Sequence, residues 1–188
     1  MTEEETLWPM DSELQTLSML GSTLAERYKI QRLLGEGGMG SVYLATDQLL
    51  GRQVAIKIMK AGPVAAQNAP RFFREARSLA RLNHPNIVTL YDYGWHGEQA
   101  YLVMEYATGK SLSAKLAGLE GQIDTKKGLT IDEALSIALS VAKALTYAHR
   151  QGVIHRDIKP GNIMIGDEIK LMDFGIAKIR QDPSITLG

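Results

Sequence analysis

Two short segments near the carboxyl end carry the side chains best suited to chemistry on a phosphate. They are His155-Arg156-Asp157-Ile158-Lys159-Pro160-Gly161-Asn162 and Asp173-Phe174-Gly175. Asp157, Asn162 and Asp173 place three oxygen-bearing side chains in a loop-rich stretch, and such hard ligands suit a Mg²⁺ ion that phosphates also hold. A single aspartate in a loop is more often a turn or cap residue. The prediction therefore depends on the combined H-R-D-x-x-x-x-N and D-F-G spacing.

A glycine cluster is the second candidate, and it fits the pattern G-x-G-x-x-G. It reads Gly35-Glu36-Gly37-Gly38-Met39-Gly40. A dinucleotide-binding fold would need a helix directly after these glycines, whereas Ser41, Val42 and the residues after them continue as a strand. The glycines are therefore predicted to form a hairpin. Its backbone N–H groups can lie close to a triphosphate because no Cβ intervenes.

Lys57 closes an apolar run, Val54-Ala55-Ile56-Lys57, and is the third candidate. An inward-pointing lysine needs an anion, and Glu75, on the inner face of the helix that follows, needs a cation. Taken singly, each residue is better interpreted as a surface charge. Together they predict an ion pair that steadies Lys57 against phosphate oxygens.

A fourth phosphate motif is rejected on its spacing. Gly109-Lys110-Ser111 resembles the end of a Walker A loop. The first glycine of that loop would fall at position 104, which is Met104, so a Walker P-loop is not expected.

A sheet with one helix is predicted to position these residues. Alternation and β-branched content favour three strands, YKIQRLL, SVYLATD and RQVAIKIMK, then a helix, then the strands IVTLYDYGW and QAYLVMEY. The helix is expected from Pro70 to Asn83, before the stop at His84-Pro85. One face of it carries Phe72, Glu75, Ala76, Leu79 and Leu82.

The chain turns helical after Tyr106. Residues 118–128 are expected to form a surface loop, and Thr130 with Glu133 predicts a capping box that opens a long helix ending near Gly152. The apolar stripe of this helix is predicted to be Leu135, Ala138, Ala142 and Leu145.

Composition excludes several classes of function. The 188 residues carry 21 basic and 21 acidic side chains, so net charge favours neither nucleic acid nor an anionic membrane as partner. The absence of cysteine excludes disulfides and cysteine-ligated zinc. Residues 1–26 carry six acidic residues and no Lys or Arg, which predicts a solvated leader and no secretory signal. No apolar run is long enough for a membrane helix, so we expect a cytoplasmic protein.

With these motifs in place, the chain resembles eukaryotic-type (Hanks-type) serine/threonine protein kinases, above all the bacterial branch. The resemblance rests on LGEGGMGSVYLATD, VAIK, HRDIKPGNIM and DFGIAK, and it runs from about Tyr28 to Lys178. It implies an α+β kinase-like fold with a complete five-stranded N-lobe, one main helix and a partial, mainly helical C-lobe. The domains expected are an acidic, disordered leader at 1–26, the N-lobe at 27–107 and the partial C-lobe at 108–188.

The resemblance also implies a role for each motif residue, with ATP, Mg²⁺ and a protein Ser/Thr hydroxyl as partners. The glycine loop over the phosphates would comprise Leu34, Gly35, Glu36, Gly37, Gly38, Met39, Gly40, Ser41 and Val42. Val42, Ala55 and Met164 would sandwich adenine, with Met104 as gatekeeper and the backbone of Glu105 and Ala107 on the adenine edge. Lys57, paired with Glu75, would contact the α- and β-phosphates, and Asn162 and Asp173 would hold Mg²⁺. Asp157 would accept the substrate proton, Lys159 would approach the γ-phosphate, and His155 would pack with Phe174, Leu79 and Leu90.

Two hypotheses of different classes follow. The first is a serine/threonine protein kinase that transfers the ATP γ-phosphate. The second is an ATP-binding but catalytically weak or inert kinase fragment, either a pseudokinase-like regulatory module or the product of a truncated reading frame, because the chain reaches Gly188 before the A-P-E motif that the family carries. On that hypothesis the long helix exposes an apolar stripe and the chain self-associates.

Overall fold

A computed structural model describes residues 19–38, 40–60, 69–120 and 128–174, without the side chains at positions 69–72, 75, 119 and 120. Two antiparallel sheets organise these residues, one of six strands and one of three. Helices pack against both, which gives the α+β class that the sequence predicts.

The six-stranded sheet has the order β1-β2-β3-β4-β6-β5. Its strands are β1 (Thr23–Leu24), β2 (Tyr28–Gly37), β3 (Gly40–Asp47), β4 (Arg52–Met59), β5 (Leu90–His96) and β6 (Gln99–Glu105). The five predicted strands correspond to β2 through β6. Strand β1 was not predicted, because two residues are too few to show alternation, and it pairs with the start of β2. It lies within the leader expected to be disordered at 1–26, so that expectation is wrong for residues 23–24, whereas residues 1–18 lie outside the description.

The two faces of this sheet serve different purposes. Along β4, Val54, Ile56 and Ile58 are buried in an apolar core that includes residues of every strand from β1 to β4 and of β6. Because successive strand residues point to opposite faces, Ala55 and Lys57 point the other way. That second face is the one available to a helix and to a ligand.

Helix α1 (Ala69–Leu79) packs on the second face. Ala76 is fully buried, and the partly buried Leu79 packs in the same cluster as Leu102 of β6. The predicted inner face is confirmed at Ala76, Leu79 and the buried Leu82. The helix ends at Leu79 rather than at Asn83, and the following residues form a turn.

The three-stranded sheet has the order β7-β8-β9. Its chain segment contains β7 (Lys110–Ser111), α2 (Leu112–Glu120), α3 (Ile131–Arg150), a 3₁₀ turn (Pro160–Asn162), β8 (Ile163–Ile165) and β9 (Ile169–Leu171). Helix α2 extends to Glu120, so the predicted 118–128 loop begins later than expected; residues 121–127 lie outside the description. An apolar cluster joins α3 to β8 and β9.

Helix α3 begins with the predicted capping box. The Thr130 hydroxyl accepts the Glu133 N–H at 3.2 Å, and the Glu133 carboxylate accepts the Thr130 N–H at 2.9 Å. These bonds satisfy two N–H groups that the first turn of a helix would otherwise leave unpaired.

The predicted apolar stripe of α3 is wrong. Its buried residues are Ile137, Ala144 and Ala148, and of the predicted four only Leu145 packs against the core cluster. The helix is apolar on two faces, so periodicity alone does not identify the inner one. The other face remains exposed: Ile131, Leu135 and Leu139 keep 79%, 62% and 57% of their surface accessible.

The two sheets meet where the segment before β5 lies against β9. Ile87 forms a parallel bridge with Leu171. Val88 donates its N–H to the Leu171 carbonyl at 3.0 Å, and Leu171 donates to the Asn86 carbonyl at 2.9 Å. These bonds fix the relative position of the sheets beside the cavity described next.

Candidate active site

A cavity of about 430 Å³ lies between the two sheets. It is lined by Arg32, Leu34, Gly35, Val42, Ala55, Val88, Met104, Glu105, Tyr106, Ala107, Gly109, Ser111, Gly161, Met164, Met172 and Asp173. Its size falls within the range of small-molecule and cofactor sites.

The walls of the cavity are apolar and face each other. Val42 and Ala55 line it from the six-stranded sheet, and Met164 lines it from β8 of the other sheet. Met104, near the end of β6, lines it as well. Two apolar surfaces on opposite sides suit a flat ring, so the four residues predicted to surround adenine do line one cavity.

The rim of the cavity is formed by the linker segment, residues 105–109, which connects β6 to β7. Glu105, Tyr106, Ala107 and Gly109 all line the cavity. The Glu105 N–H donates to the Thr89 carbonyl at 2.9 Å, which holds the start of the linker segment in place. The structure therefore places the predicted Glu105 and Ala107 at the cavity edge.

The glycine hairpin joins β2 to β3, with Gly35 opposite Val42, Glu36 opposite Ser41 and Gly37 opposite Gly40. Leu34, Gly35 and Val42 line the cavity. The other predicted members with a described placement lie further along the hairpin: Glu36, Gly37, Gly38, Gly40 and Ser41. Met39 lies outside the described residues.

Lys57 extends from β4 to the segment that follows β9. Its Nζ lies 2.7 Å from Oδ1 of Asp173, and the two side chains are 13% and 28% exposed. The sequence predicted Glu75 as the partner of Lys57; the Glu75 side chain lies outside the description, so that pair stays a prediction. The Lys57–Asp173 pair was not predicted, although both residues were selected as site residues.

The loop around Asp157 is held by short polar contacts. Oδ2 of Asp157 lies 2.8 Å from Nζ of Lys159. The buried Asn162 donates its side-chain N–H to the Asp157 carbonyl at 2.7 Å and to its carboxylate at 3.2 Å. The Asn162 carbonyl accepts the Met172 N–H at 2.9 Å, which ties this loop to the residue before Asp173.

Two site residues adopt a left-handed backbone conformation. Arg156 has φ 64° and Asp173 has φ 57°, values that are uncommon for residues with a side chain. Such conformations cost free energy and persist only where surrounding contacts impose them, which occurs most often at functional sites. They lie directly beside Asp157 and at the carboxylate that contacts Lys57.

His155 is a packed residue, as expected. It is 1% exposed, its Nε2 lies 2.9 Å from the Met172 carbonyl, and its ring centroid is 4.5 Å from that of Phe174. Burial lowers the pKa of His155 below its ordinary value. Leu79 and Leu90 share an apolar cluster, and Leu79 also packs against the cluster that contains Phe174.

The donor set suits a metal that phosphates help to hold. Among the described residues no three His, Cys, Asp or Glu side chains group closely enough to hold a metal by themselves. Asn162 turns its amide nitrogen toward Asp157, so its amide oxygen is the atom it can offer to a cation, and Asp173 offers a carboxylate. Few protein oxygens beside a phosphate site fit Mg²⁺.

Sequence reasoning missed several lining residues. Arg32 lies two positions before Leu34, so strand alternation would have placed it on the same face. Tyr106 and Met172 are sequence neighbours of the predicted residues Ala107 and Asp173. Gly109 and Ser111, set aside with the Walker pattern, line the cavity from the linker segment and β7. At Gly109 φ is 99° and a Cβ would stand 2.1 Å from the Ile165 carbonyl oxygen, so only glycine fits.

The candidate site thus combines a glycine hairpin, apolar cavity walls, the Lys57–Asp173 pair, and Asp157 held by Lys159 and Asn162. The family model described as "Protein kinase domain" matches residues 28–186, so this chain belongs to the protein kinase domain family. No helix in the described ranges has the length and apolar character to cross a bilayer.

Two of the curated relatives are bacterial serine/threonine-protein kinases. A probable serine/threonine-protein kinase of Clostridium acetobutylicum is 44% identical over 171 residues, a match that covers 89% of this chain and 25% of the relative. Serine/threonine-protein kinase PknA of Mycobacterium tuberculosis is 42% identical, with 85% of this chain and 37% of the relative covered. The chain therefore spans about a quarter to a third of the length of these relatives.

Solved structures agree with the fold. The kinase domain of Mycobacterium tuberculosis PknI superposes with a TM-score of 0.74 at 35% identity, and the match covers 84% of this chain and 61% of that one. The two-sheet fold is therefore that of a kinase domain.

Proposed function

We propose that this chain is the nucleotide-binding and catalytic part of a serine/threonine protein kinase, which transfers the γ-phosphate of ATP to a Ser or Thr hydroxyl of a protein. The observation that carries the proposal is one cavity whose lining is apolar in one part and charged in another. Its walls at Val42, Ala55 and Met164 are apolar, whereas Asp173, which also lines it, is bound to Lys57. A nucleotide is divided in the same way, because its flat base is largely apolar and its phosphate chain is charged.

Adenine would occupy the apolar end. Val42 and Ala55 would cover one face of the ring, Met164 the other, and Met104 would limit the depth of the site. The polar edge of the base would meet the backbone of Glu105 and Ala107. Backbone groups are suited to this task because the rest of the structure fixes their positions before the ligand arrives.

The phosphates would extend beneath the glycine hairpin toward Lys57. The space around Gly35, Gly37 and Gly38 is open, since a Cβ built on any of them meets no atom within 4 Å. The N–H groups of the hairpin can therefore approach the phosphates closely. Lys57 would neutralise charge on the α- and β-phosphates, with Glu75 as the residue that orients it.

Asp157 and Lys159 would act at the γ-phosphate. Asn162 and Lys159 hold the Asp157 carboxylate, which would accept the proton of an incoming hydroxyl. Lys159 would stabilise charge on the transferred group. Most of the rate enhancement would come from positioning and from charge neutralisation, as phosphoryl transfer requires little covalent help from protein.

Asn162 and Asp173 would hold Mg²⁺ when nucleotide is bound. The ion would supply charge neutralisation at the β- and γ-phosphate oxygens. Because ATP is a cytoplasmic metabolite, we place this domain in the cytoplasm, with a protein as second substrate.

The test measures Mg-ATP binding and γ-phosphate transfer to the chain itself and to a generic basic protein. Lys57→Met should weaken Mg-ATP binding by about tenfold or more, as expected for loss of a hydrogen bond between charged groups. Asp157→Asn should keep binding and lose transfer. Lys115→Met, which breaks the surface pair of Lys115 with Glu133, is the matched control and should change neither.

The outcomes separate the two hypotheses. Binding with transfer that Asp157→Asn abolishes supports a kinase. Binding without transfer supports the alternative, a nucleotide-binding module that is catalytically weak or inert. Transfer that survives in both Asp157→Asn and Lys57→Met would end the kinase proposal.

Self-association is a further part of the proposal, and the exposed face of α3 supports it. Ile131, Leu135 and Leu139 are spaced one turn apart and at least 57% exposed, and contiguous apolar patches promote association. Leu135→Gln should lower the apparent mass in sedimentation at high concentration. Leu49→Gln, at a leucine 74% exposed on the β3–β4 turn, is the control. A wild-type monomer with a sharp, cooperative thermal transition would refute self-association.

A further inference from the structure

Lys170 on β9 is a largely buried cation that lies outside the set of predicted site residues. Its side chain is 14% exposed, and its Nζ lies 2.8 Å from Oε1 of Glu105 and 3.1 Å from Oε2 of Glu168. Burial opposes the charge of Lys170, but the hydrogen bonds that its ammonium donates to Glu105 and Glu168 outweigh it, so the pKa of Lys170 lies above its ordinary value. The ammonium is therefore charged and held by two carboxylates.

The two carboxylates differ in position. Glu168 is 55% exposed and lies on the turn between β8 and β9. Glu105 is 23% exposed and begins the linker segment at the rim of the cavity. Lys170 therefore connects the second sheet to the edge of the nucleotide site.

Glu105 is held from two sides. Oε1 accepts from Lys170, and Oε2 accepts the Thr89 backbone N–H at 3.2 Å. The Glu105 N–H in turn donates to the Thr89 carbonyl at 2.9 Å. Backbone and side chain of Glu105 are thus both fixed, and Lys170 is the partner that comes from the second sheet.

The strand that carries Lys170 also leads to the phosphate end of the cavity. Met172 and Asp173 follow it within three residues and line the cavity, and Asp173 binds Lys57. Asn86 adds to the same connection, because its side-chain N–H donates to the Ile169 carbonyl at 2.8 Å. Strand β9 and the residues that follow it therefore connect Lys170, which contacts Glu105 at the rim, to the carboxylate of Asp173.

We propose that Lys170 is a positioning residue for the nucleotide: its ion pair with Glu105 fixes the linker segment relative to the strand that leads to Asp173. The inference rests on the proposed function in that the cavity binds Mg-ATP. Lys170 itself contacts neither base nor phosphate. Its effect is to keep the two ends of the site at the separation that one nucleotide spans, so that binding does not have to order the linker segment.

The test replaces Lys170 in the full chain and has two readouts. Lys170→Met keeps the length of the side chain and removes its charge. In the unliganded protein it should speed amide hydrogen exchange in residues 105–109 by about tenfold, and it should weaken Mg-ATP binding by a similar factor, as loss of a charged hydrogen bond predicts. Lys170→Arg should restore both properties.

Matched variants separate this role from a general loss of stability. Glu168→Gln removes the other carboxylate that contacts Lys170 and should leave both readouts at wild-type values. Glu105→Gln should reproduce Lys170→Met, and the double variant should be no worse than either single one, because both changes break the same contact. If Lys170→Met does not fold, the test uses Glu105→Gln instead, with Glu168→Gln as its control.

Each remaining outcome has one meaning. Unchanged exchange in residues 105–109 in both Lys170→Met and Glu105→Gln overturns the inference. So does an equal effect of Glu168→Gln, since that would locate the role of Lys170 in the β8–β9 turn. If the wild-type protein fails to bind Mg-ATP, the proposed function is refuted, and the exchange of the linker segment still decides whether Lys170 fixes it.

Discussion

Gly40 and Gly37 belong to the same motif and lie opposite each other in the glycine hairpin, yet an added methyl group should have different consequences at the two positions. A Cβ on Gly40 would stand 2.0 Å from the Ile58 carbonyl oxygen and 3.0 Å from the Met59 Cα. Ordinary contacts begin near 3.4 Å, and Gly40 also has φ 143°. Gly40→Ala therefore forces β3 away from β4.

The expected cost follows from these contacts. Gly40 pairs with Met59 and the next residue, Ser41, pairs with Ile58, so parting the strands loses one or two ladder hydrogen bonds, each worth about 1 kcal/mol. The positive φ adds about 1–3 kcal/mol of strain. Gly40→Ala should lower the free energy of unfolding by about 3 kcal/mol, which corresponds to roughly 10 °C in Tm for a chain of this size.

Gly37→Ala is the matched control, because a Cβ there meets nothing within 4 Å. Its free energy of unfolding, measured by urea denaturation, should stay within about 0.5 kcal/mol of wild type. Its Mg-ATP affinity should fall, because the methyl group occupies space that the phosphates need. Equal unfolding midpoints for Gly40→Ala and Gly37→Ala would show that the close approach of β3 to β4 does not require glycine.

Two further predictions concern stability. Asp47 is fully buried and accepts two hydrogen bonds from Arg27, at 2.7 and 2.8 Å, and Arg27 holds the pKa of Asp47 below its ordinary value. Asp47→Asn should therefore lower the free energy of unfolding by about 2–3 kcal/mol at neutral pH. The lowered pKa of folded Asp47 stabilises the protein only above the unfolded pKa, near 3.9, and this contribution is lost as the pH falls below that value. The free energies of unfolding of wild type and variant, measured by urea denaturation, should converge over that fall in pH. Thr130→Ala should cost about 1 kcal/mol by removing the cap of α3, whereas Thr146→Ala, well inside the same helix, should not change the free energy of unfolding. Equal effects of the two substitutions would refute the capping role.

Part of the arrangement of the candidate polar residues follows from their spacing along the chain. Asp157 and Asn162 lie five positions apart, and the structure brings them into direct contact. Lys57 and Ala55 follow from strand alternation, which places both on the face toward the cavity. In each case a local rule decides which way the side chain points.

Local rules failed where a segment has two chemically similar faces. Helix α3 is apolar around much of its circumference, so the choice between Leu135 and Ile137 as core residue depends on which face meets β9. The same limit applies to Lys170. An isolated lysine on a three-residue strand carries no pattern, and its importance becomes visible only when the fold brings Glu105 within 2.8 Å.

The polar end of the cavity shows a further reason why its geometry cannot be predicted from motifs alone. Arg156 and Asp173 adopt positive φ values, which are uncommon for any residue other than glycine, and surrounding contacts must maintain them. Around Asp173 these contacts are the bond from the Met172 N–H to the Asn162 carbonyl, the contact of His155 with the Met172 carbonyl, and the pair of Asp173 with Lys57 of the other sheet. The motif residues specify which groups are present, whereas contacts between the two sheets specify where they point. It follows that substitutions which loosen the junction between the sheets, without touching a motif residue, should reduce phosphate transfer before they unfold the chain.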